Sequence, residues 1–100
     1  MDIQKPFLKL KRGEKRVIAA QYKDGIGSTD ISDLNIKIEV RDEMGRKIDQ
    51  LKITRISDLE GLYEFDIDAS CYPLGDVYFD ILYYNEATQL PTQTLMIRIL

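Results

Sequence analysis

The sequence predicts an all-β domain, an immunoglobulin-like antiparallel β-sandwich of about seven strands. Three observations favour this fold class. Apolar and polar residues alternate in several segments, as they do in strands with one buried face, and turn residues separate these segments. No segment shows the 3.6-residue period of an amphipathic helix. A small β-barrel is the alternative, because alternation does not distinguish one closed sheet from two stacked sheets.

Length and composition indicate one folded unit. The chain has 100 residues, and we assign the whole range 1–100 to a single domain. Hydrophobic residues make up 44% and charged residues 31%, which is typical of a globular chain and not of a disordered one. The net charge of −3 and the dispersed basic residues argue against a nucleic-acid partner.

The sequence also indicates where the chain is made. It has no stretch of roughly 18 apolar residues that could span a membrane. The first residues lack the basic and then apolar order of a secretory signal. Cys71 is the one cysteine, so an internal disulfide cannot form. We therefore expect synthesis in the cytoplasm without a signal peptide, and no membrane contact.

The clearest strand is 34–40, in which every second residue is apolar. The turn after it contains Gly45, which can take the positive φ that a tight hairpin needs. We expect the partner strand over 47–56. The spacing of apolar residues changes from three to two within that strand, which predicts a β-bulge near 49–50.

Alternation also predicts strands near 63–67, over 76–85 and over 92–100, with a less regular strand near 7–10. The tightest core is expected where strand 34–40 meets the inward rows of the next two strands. Those rows are Tyr63, Phe65, Ile67, Val77, Phe79 and Ile81.

Two segments depart from simple alternation. Segment 17–22 is apolar on both faces except at Gln21, which predicts a strand covered on both sides. The loop 23–33 is rich in glycine and aspartate, as turns require. It has neither the lysine and following helix of a phosphate loop nor the final glutamate of a calcium loop, so we interpret it as turn structure.

Few residues suit catalysis or metal binding. Histidine is absent, which removes the commonest general base and metal ligand at neutral pH. Cys71 has no basic neighbour in sequence that would lower its thiol pKa, and we expect it to fill space in a buried or half-buried position. The acidic row Glu64, Asp66 and Asp68 matches the solvent face of a strand. We therefore predict no catalytic residue, no metal site and no cofactor.

The one basic cluster lies near the amino terminus, and it is predicted to be a solvated face because its members partly alternate with apolar residues. Its members are Lys9, Lys11, Arg12, Lys15 and Arg16.

A hypothetical protein interface emerges from the last two strands. Met96 and Leu100 would lie on the face opposite to Leu95, Ile97 and Ile99, where a solvated strand would carry polar residues. If exposed, they would form an apolar contact surface with tyrosines and a leucine of strand 76–85. The hypothetical interface consists of Tyr78, Leu82, Tyr84, Met96 and Leu100. The alternative is that strand 17–22 and its neighbours cover both faces within the monomer.

The order of turns and strands resembles the amino-terminal immunoglobulin-like domain of phage baseplate upper proteins and related phage tail or fibre proteins. The resemblance covers nearly the whole chain and rests on five short segments: Arg12-Gly13-Glu14, then 30–34, 37–42, 60–63 and 73–81. In addition, Gly61-Leu62-Tyr63 resembles the tyrosine corner of immunoglobulin sandwiches, in which the hydroxyl bonds to upstream backbone.

This resemblance implies a structural module of a phage or prophage tail, baseplate or virion. Such a module would be non-catalytic and would dock on a protein partner or self-associate through a sheet face or edge. It would be made in the host cytoplasm and could end in the virion. The late tyrosines favour a different class, a soluble carbohydrate- or peptide-binding sandwich outside phage.

Overall fold

The computed structural model describes residues 6–91 and 94–100. Within these ranges the chain forms two sheets and one short 3-10 turn at Ala69–Cys71. The predicted all-β sandwich is confirmed, because two sheets stack face to face and no described strand pairs across them to close a barrel. The strands are β1 (Leu8–Leu10), β2 (Lys15–Gln21), β3 (Asn35–Arg41), β4 (Lys47–Gln50), β5 (Lys52–Ser57), β6 (Leu62–Asp68), β7 (Gly75–Tyr84), β8 (Gln89–Pro91) and β9 (Leu95–Ile99).

The two sheets differ in size. The larger has the order β1-β9-β7-β3-β4, and β8 also pairs with β7. The smaller has the order β2-β6-β5. All these pairs are antiparallel except β1 with β9, which run parallel. Strand β7 lies at the centre of the larger sheet and β6 at the centre of the smaller one.

The hairpin from β3 to β4 follows the sequence prediction. Ile38 and Val40 point into the core with no exposed surface. The turn closes around Gly45, whose φ of 81° is the positive value expected there. The side chain of Asp42 stabilises the turn by accepting hydrogen bonds from the backbone N–H groups of Met44 and Arg46, both at 2.9 Å.

The predicted strand 47–56 is wrong as one element. It is two strands, and the chain passes from the larger sheet to the smaller one between β4 and β5. Leu51 is buried at this crossing, and its N–H donates to the Ile38 carbonyl at 2.9 Å. The change in apolar spacing coincides with this crossing. The β3–β4 ladder also contains a register shift: Val40 pairs with Asp49 and Arg41 with Lys47, so Ile48 is the extra residue, next to the predicted bulge at 49–50.

The core lies where the sequence placed it. The inward rows of β3, β6 and β7 belong to one buried cluster, and Phe79 has 0% of its surface exposed. Phe79 stacks obliquely on Phe65 from the opposite sheet, with ring centroids 5.9 Å apart. These contacts hold the two sheets together by burying the largest apolar side chains of the domain.

The prediction that segment 17–22 is covered on both sides is wrong. Strand β2 is an edge strand of the smaller sheet, and among the described strands it pairs with β6 alone. Its odd-numbered side chains point away from the core, so Val17 is 58% exposed. Small and β-branched residues fit the outer face of a strand without being buried, which is why the apolar run misled the sequence analysis.

Three further details differ from the sequence expectations. The Tyr63 hydroxyl does not form a tyrosine corner, because it shares a hydrogen bond of 2.5 Å with the Tyr83 hydroxyl inside the core. The final strand β9 begins at Leu95, and part of the predicted range 92–100 lies outside the described residues. Cys71 is exposed and not buried, because it ends the 3-10 turn at the surface.

Candidate interaction site

The hypothetical interface residues of β7 lie on the outer face of the larger sheet. Tyr78, Leu82 and Tyr84 alternate with the buried inner row and are half-buried. Met96 lies directly opposite Tyr78 in the β7–β9 ladder, so the two side chains share that face. The structure therefore brings Tyr78 and Met96 together.

The expectation that Met96 is exposed is wrong, because only 3% of its surface is accessible. It is nevertheless separate from the core cluster between the sheets. Strand β9 has β1 on one side and β7 on the other, so long side chains on the same face can cover it. The alternative that the chain covers this face within the monomer holds for Met96, although β2 is not the covering strand because it belongs to the opposite sheet.

Leu100 is 60% exposed but lies at the opposite end of this face from Leu82 and Tyr84. It follows Ile99, which pairs with Gly75 at the start of β7, whereas Tyr84 ends that strand. A strand of this length spans roughly 30 Å at about 3.3 Å per residue. The five predicted residues consequently do not form one continuous patch.

The same outer face carries paired charges. Glu39 lies within ion-pair distance of Lys37, Arg41 and Lys47, at 3.2, 3.3 and 3.6 Å. The hydrogen bond from Lys37 is the main cause that lowers the pKa of Glu39. Arg98 likewise donates to Asp76 at 2.9 Å. This face is therefore a polar surface with separate apolar side chains, and exposed pairs of this kind contribute little stability.

The outer edge of β2 presents unpaired backbone groups. The hydrogen bonds that flank the β2–β6 ladder join Tyr22 N to Gly61 O at 2.9 Å and Ala69 N to Glu14 O at 3.0 Å. Both involve even-numbered residues of this segment, so in an antiparallel ladder the even residues bond to β6. The N–H and C=O groups of the odd residues point to the other side, where no described strand pairs with them. These residues are Lys15, Val17, Ala19 and Gln21.

The inward face of β2 is incompletely covered. Ile18, Ala20 and Tyr22 pack against the core cluster yet remain half-buried. Their neighbours across the ladder on β6 are almost completely buried. The inward side chains of β2 are thus partly accessible to solvent along this side of the sandwich.

A cleft of about 420 Å³ opens at the end of the β2 edge. Its apolar wall is formed by Tyr22, Tyr83, Leu90 and Pro91, from β7, β8 and the residue after β2. The Tyr22 and Tyr83 rings lie 4.7 Å apart between centroids. Its polar rim contains Gln21, Lys23 and Asp24. The volume is within the range of small-ligand pockets, and it also suits one apolar side chain of a partner.

The residues that the sequence analysis considered for catalysis or metal binding do not form one site. Asp66 and Asp68 lie opposite Lys52 and Lys15 on the outer face of the smaller sheet. Asp68 accepts a hydrogen bond from Ser70 N at 3.0 Å. In residues 6–91 and 94–100, no three His, Cys, Asp or Glu side chains are grouped as a metal site would require.

The loop 23–33 is turn structure, as predicted. The carboxylate of Asp24 accepts hydrogen bonds from Ile26 N and Ser28 N at 2.9 and 2.8 Å. Asp30 bonds in the same way to Ser32, whose hydroxyl is the main cause that lowers the pKa of Asp30. These carboxylates are therefore used for local backbone bonding.

Sequence reasoning missed the β2 edge and the cleft. The edge was hidden because Val17 and Ala19 made the outward row look apolar. The cleft joins Tyr22 to Leu90, which are far apart in sequence. Only Gln21, the single polar residue of the run, indicated an outward face.

Comparisons with known proteins add no assignment. No protein-family model matches the chain, and no curated protein sequence matches it. In the part of the chain that the structure covers, no helix is long and apolar enough to cross a membrane.

Proposed function

We propose that this chain is a non-catalytic structural module that docks on a larger protein assembly, such as a phage or prophage tail, baseplate or virion. The resemblance in sequence supports the phage setting. Its segments fall at junctions between turns and strands: Arg12-Gly13-Glu14 immediately precedes β2, and Glu60-Gly61 leads into β6. The segment 73–81 likewise leads into β7.

The open side of the sandwich at β2 is the observation that carries the proposal. A row of unpaired backbone groups lies beside half-buried Ile18, Ala20 and Tyr22. Exposed strand edges are sites at which other chains pair, and natural proteins usually shield them. A docking role gives this edge a partner that covers both the backbone groups and the apolar side chains.

The experiment follows the chain into particles. A tagged chain is expressed in the phage-producing cells, and tail structures are purified on a density gradient. We expect the wild-type chain to sediment with the tails. The variant Val17→Asp should remain in the soluble fraction, because a charged side chain on an edge strand opposes pairing with another strand. Met44→Glu is the control, since Met44 is 79% exposed in the β3–β4 turn, away from β2. A wild-type chain that never enters particles would contradict the proposal.

The cleft favours a second candidate function, a carbohydrate- or peptide-binding module outside phage. Tyr22 provides an aromatic surface at its mouth and Leu90 is partly exposed beside it. Aromatic rings and a small polar rim are common in ligand sites. Glycan and peptide arrays test this function, and a hit that is lost in Tyr22→Ala would support it. Blank arrays would eliminate it.

A further inference from the structure

We propose that the outer edge of β2 accepts one extended strand from a partner protein, running antiparallel to β2. The incoming strand carries apolar side chains at alternate positions and acidic side chains near its carboxyl end. This inference rests on the proposed docking function and names the surface and the chemistry of the partner.

The backbone determines the kind of partner. Lys15, Val17, Ala19 and Gln21 present N–H and C=O groups away from β6, at the two-residue period of a strand. Only another extended chain offers acceptors and donors at the same spacing. Strand addition of this type gains affinity from main-chain hydrogen bonds and specificity from pockets for alternate side chains.

The half-buried inward side chains of β2 are the reason to expect apolar residues at alternate positions of the added strand. Side chains of the added strand that lie beside Ile18 and Ala20 would point into the space between the sheets. Near the end of β2, such a side chain would meet the cleft beside Tyr22, Tyr83 and Leu90. Burial of these half-exposed side chains stabilises the complex through the hydrophobic effect.

The basic residues at the amino-terminal end of β2 favour a partner strand with acidic residues near its carboxyl end. They do not favour a second copy of this chain. Arg12, Lys15 and Arg16 are all exposed at that end. Arg16 is ion-paired with Glu14 and Lys15 lies opposite Asp68, which leaves Arg12 as the cation without an acidic neighbour among those named. An antiparallel partner places its carboxyl end beside them. A second copy of β2 centred on Ile18 would bring its Lys23 beside Gly13 and its Asp24 beside Arg12, so it offers no net negative charge to this basic end. Opposite charges across neighbouring strands are favourable, and like charges are unfavourable.

The test uses a defined peptide and the full chain. The probe is a blocked fluorescent peptide with valine at alternate positions, threonine between them and two aspartates at its carboxyl end. Fluorescence anisotropy measures binding. We expect Ala19→Pro, which removes one outward N–H and no bond to β6, to weaken binding about tenfold or more. Ala19→Ser keeps that N–H and is expected to bind like the wild type. A peptide with the valines grouped together is expected to bind weakly.

Amide hydrogen exchange provides a second readout that does not depend on the proline variant folding. The peptide is expected to slow exchange at Val17 and Ala19 about tenfold or more, while Ile18 and Ala20 are already bonded to β6. No binding, binding without this protection, or unchanged binding in a folded Ala19→Pro would overturn the inference. A concentration-dependent dimer that protects the same amides without peptide would overturn it as well, by showing that a second copy is the partner.

The inference and the proposed function can fail separately. If Ala19→Pro still enters tail particles, the module docks through another surface and only the strand-addition inference fails. If the peptide protects the edge but the chain never enters particles, the binding site stands and the proposed setting fails.

Discussion

Two neighbouring strands of the smaller sheet show what covers a core. Strand β6 has a partner on each side, and its inward Tyr63, Phe65 and Ile67 are almost completely buried. Strand β2 has one partner within residues 6–91 and 94–100, and its inward Ile18 remains half-buried although it lies opposite Phe65. Both strands face the same core. The comparison teaches that the neighbouring strand within the sheet, and not only the opposite sheet, determines how far an inward side chain is buried.

The largest effect is expected at the centre of the molecule. Phe79→Ala should reduce the free energy of unfolding by about 3 to 5 kcal/mol because it leaves a cavity between the sheets. This is a large part of the roughly 5 to 15 kcal/mol that stabilises a domain. Urea denaturation at 25 °C measures the change. Phe7→Ala is the control, since Phe7 is 49% exposed, although its ring packs edge-to-face on Phe79 with centroids 5.8 Å apart. If both variants lost the same free energy of unfolding, the centre of the core would be no more sensitive to truncation than its exposed margin.

The comparison of β6 with β2 can be tested by matched isoleucines. Ile67→Ala should cost about 2 to 5 kcal/mol, whereas Ile18→Ala should cost about half as much because less apolar surface is lost. Both substitutions delete the same atoms, so the difference in the free energy of unfolding reports burial alone. Thermal and urea unfolding of both variants provide it. If Ile18→Ala cost as much as Ile67→Ala, the edge would be as well covered as the centre.

The next largest loss of stability is expected at Gly61, just before β6 and beside the end of β2. Gly61 has φ +67°, and a Cβ there would lie 2.4 Å from the Thr29 carbonyl oxygen and 2.8 Å from that of Tyr22. Gly61→Ala should therefore cost about 3 kcal/mol, from the backbone conformation and the contacts together. Gly45→Ala shares a positive φ but meets no atom within 4 Å, so it should cost about 1 kcal/mol. Similar melting temperatures for both variants would contradict the role of the close approach.

The hydroxyl pair in the core gives a smaller effect. Burial is the main cause that raises the pKa of Tyr63, so the group stays protonated and can share its hydrogen bond with Tyr83. Tyr63→Phe should cost about 1 to 3 kcal/mol because it leaves the Tyr83 hydroxyl buried without this partner. The double variant Tyr63→Phe with Tyr83→Phe should cost less than the sum of the single variants. Additive losses in a double-mutant cycle would show that the two hydroxyls are independent.

The smallest effect concerns pH. The hydrogen bond from Arg46 N–H is the main cause that lowers the pKa of Asp42 in the folded chain. Its contribution is therefore full above the unfolded pKa of about 4 and is lost as the pH falls through the lower folded value. Asp42→Asn should be less stable than the wild type at neutral pH and should lose less stability on acidification. The exposed Glu43→Gln is the matched control. An unchanged acid transition in Asp42→Asn would contradict the prediction.

How far the sequence predicts the fold depends on where a strand lies. Alternation identified β3, β6 and β7 because these central strands have one face in the core and one outside. It failed at Leu51, where a change of sheet and a bulge produce the same shift of apolar spacing. It failed at Val17 as well, since an edge strand can carry apolar residues outward.

The candidate site was harder to predict for a physical reason. Met96 follows the strand pattern, but its burial depends on the side chains beside it on β1 and β7. The cleft depends on how the end of β2 meets β8, which are separated by most of the chain. Unpaired edge groups likewise follow from the strand order and not from local composition.

The parallel pairing of β1 with β9 affects how the domain would respond to mechanical force. Leu8 pairs with Ile97 and Leu10 with Ile99, and Phe7 N and Leu100 N donate to Met96 O and Leu10 O at 2.7 and 2.8 Å. A pull on the segment before Leu8 and on the segment after Ile99 acts in opposite directions along two parallel strands. These hydrogen bonds are then loaded together in shear and do not open one at a time. The free β2 edge belongs to the other sheet and lies outside this loaded ladder.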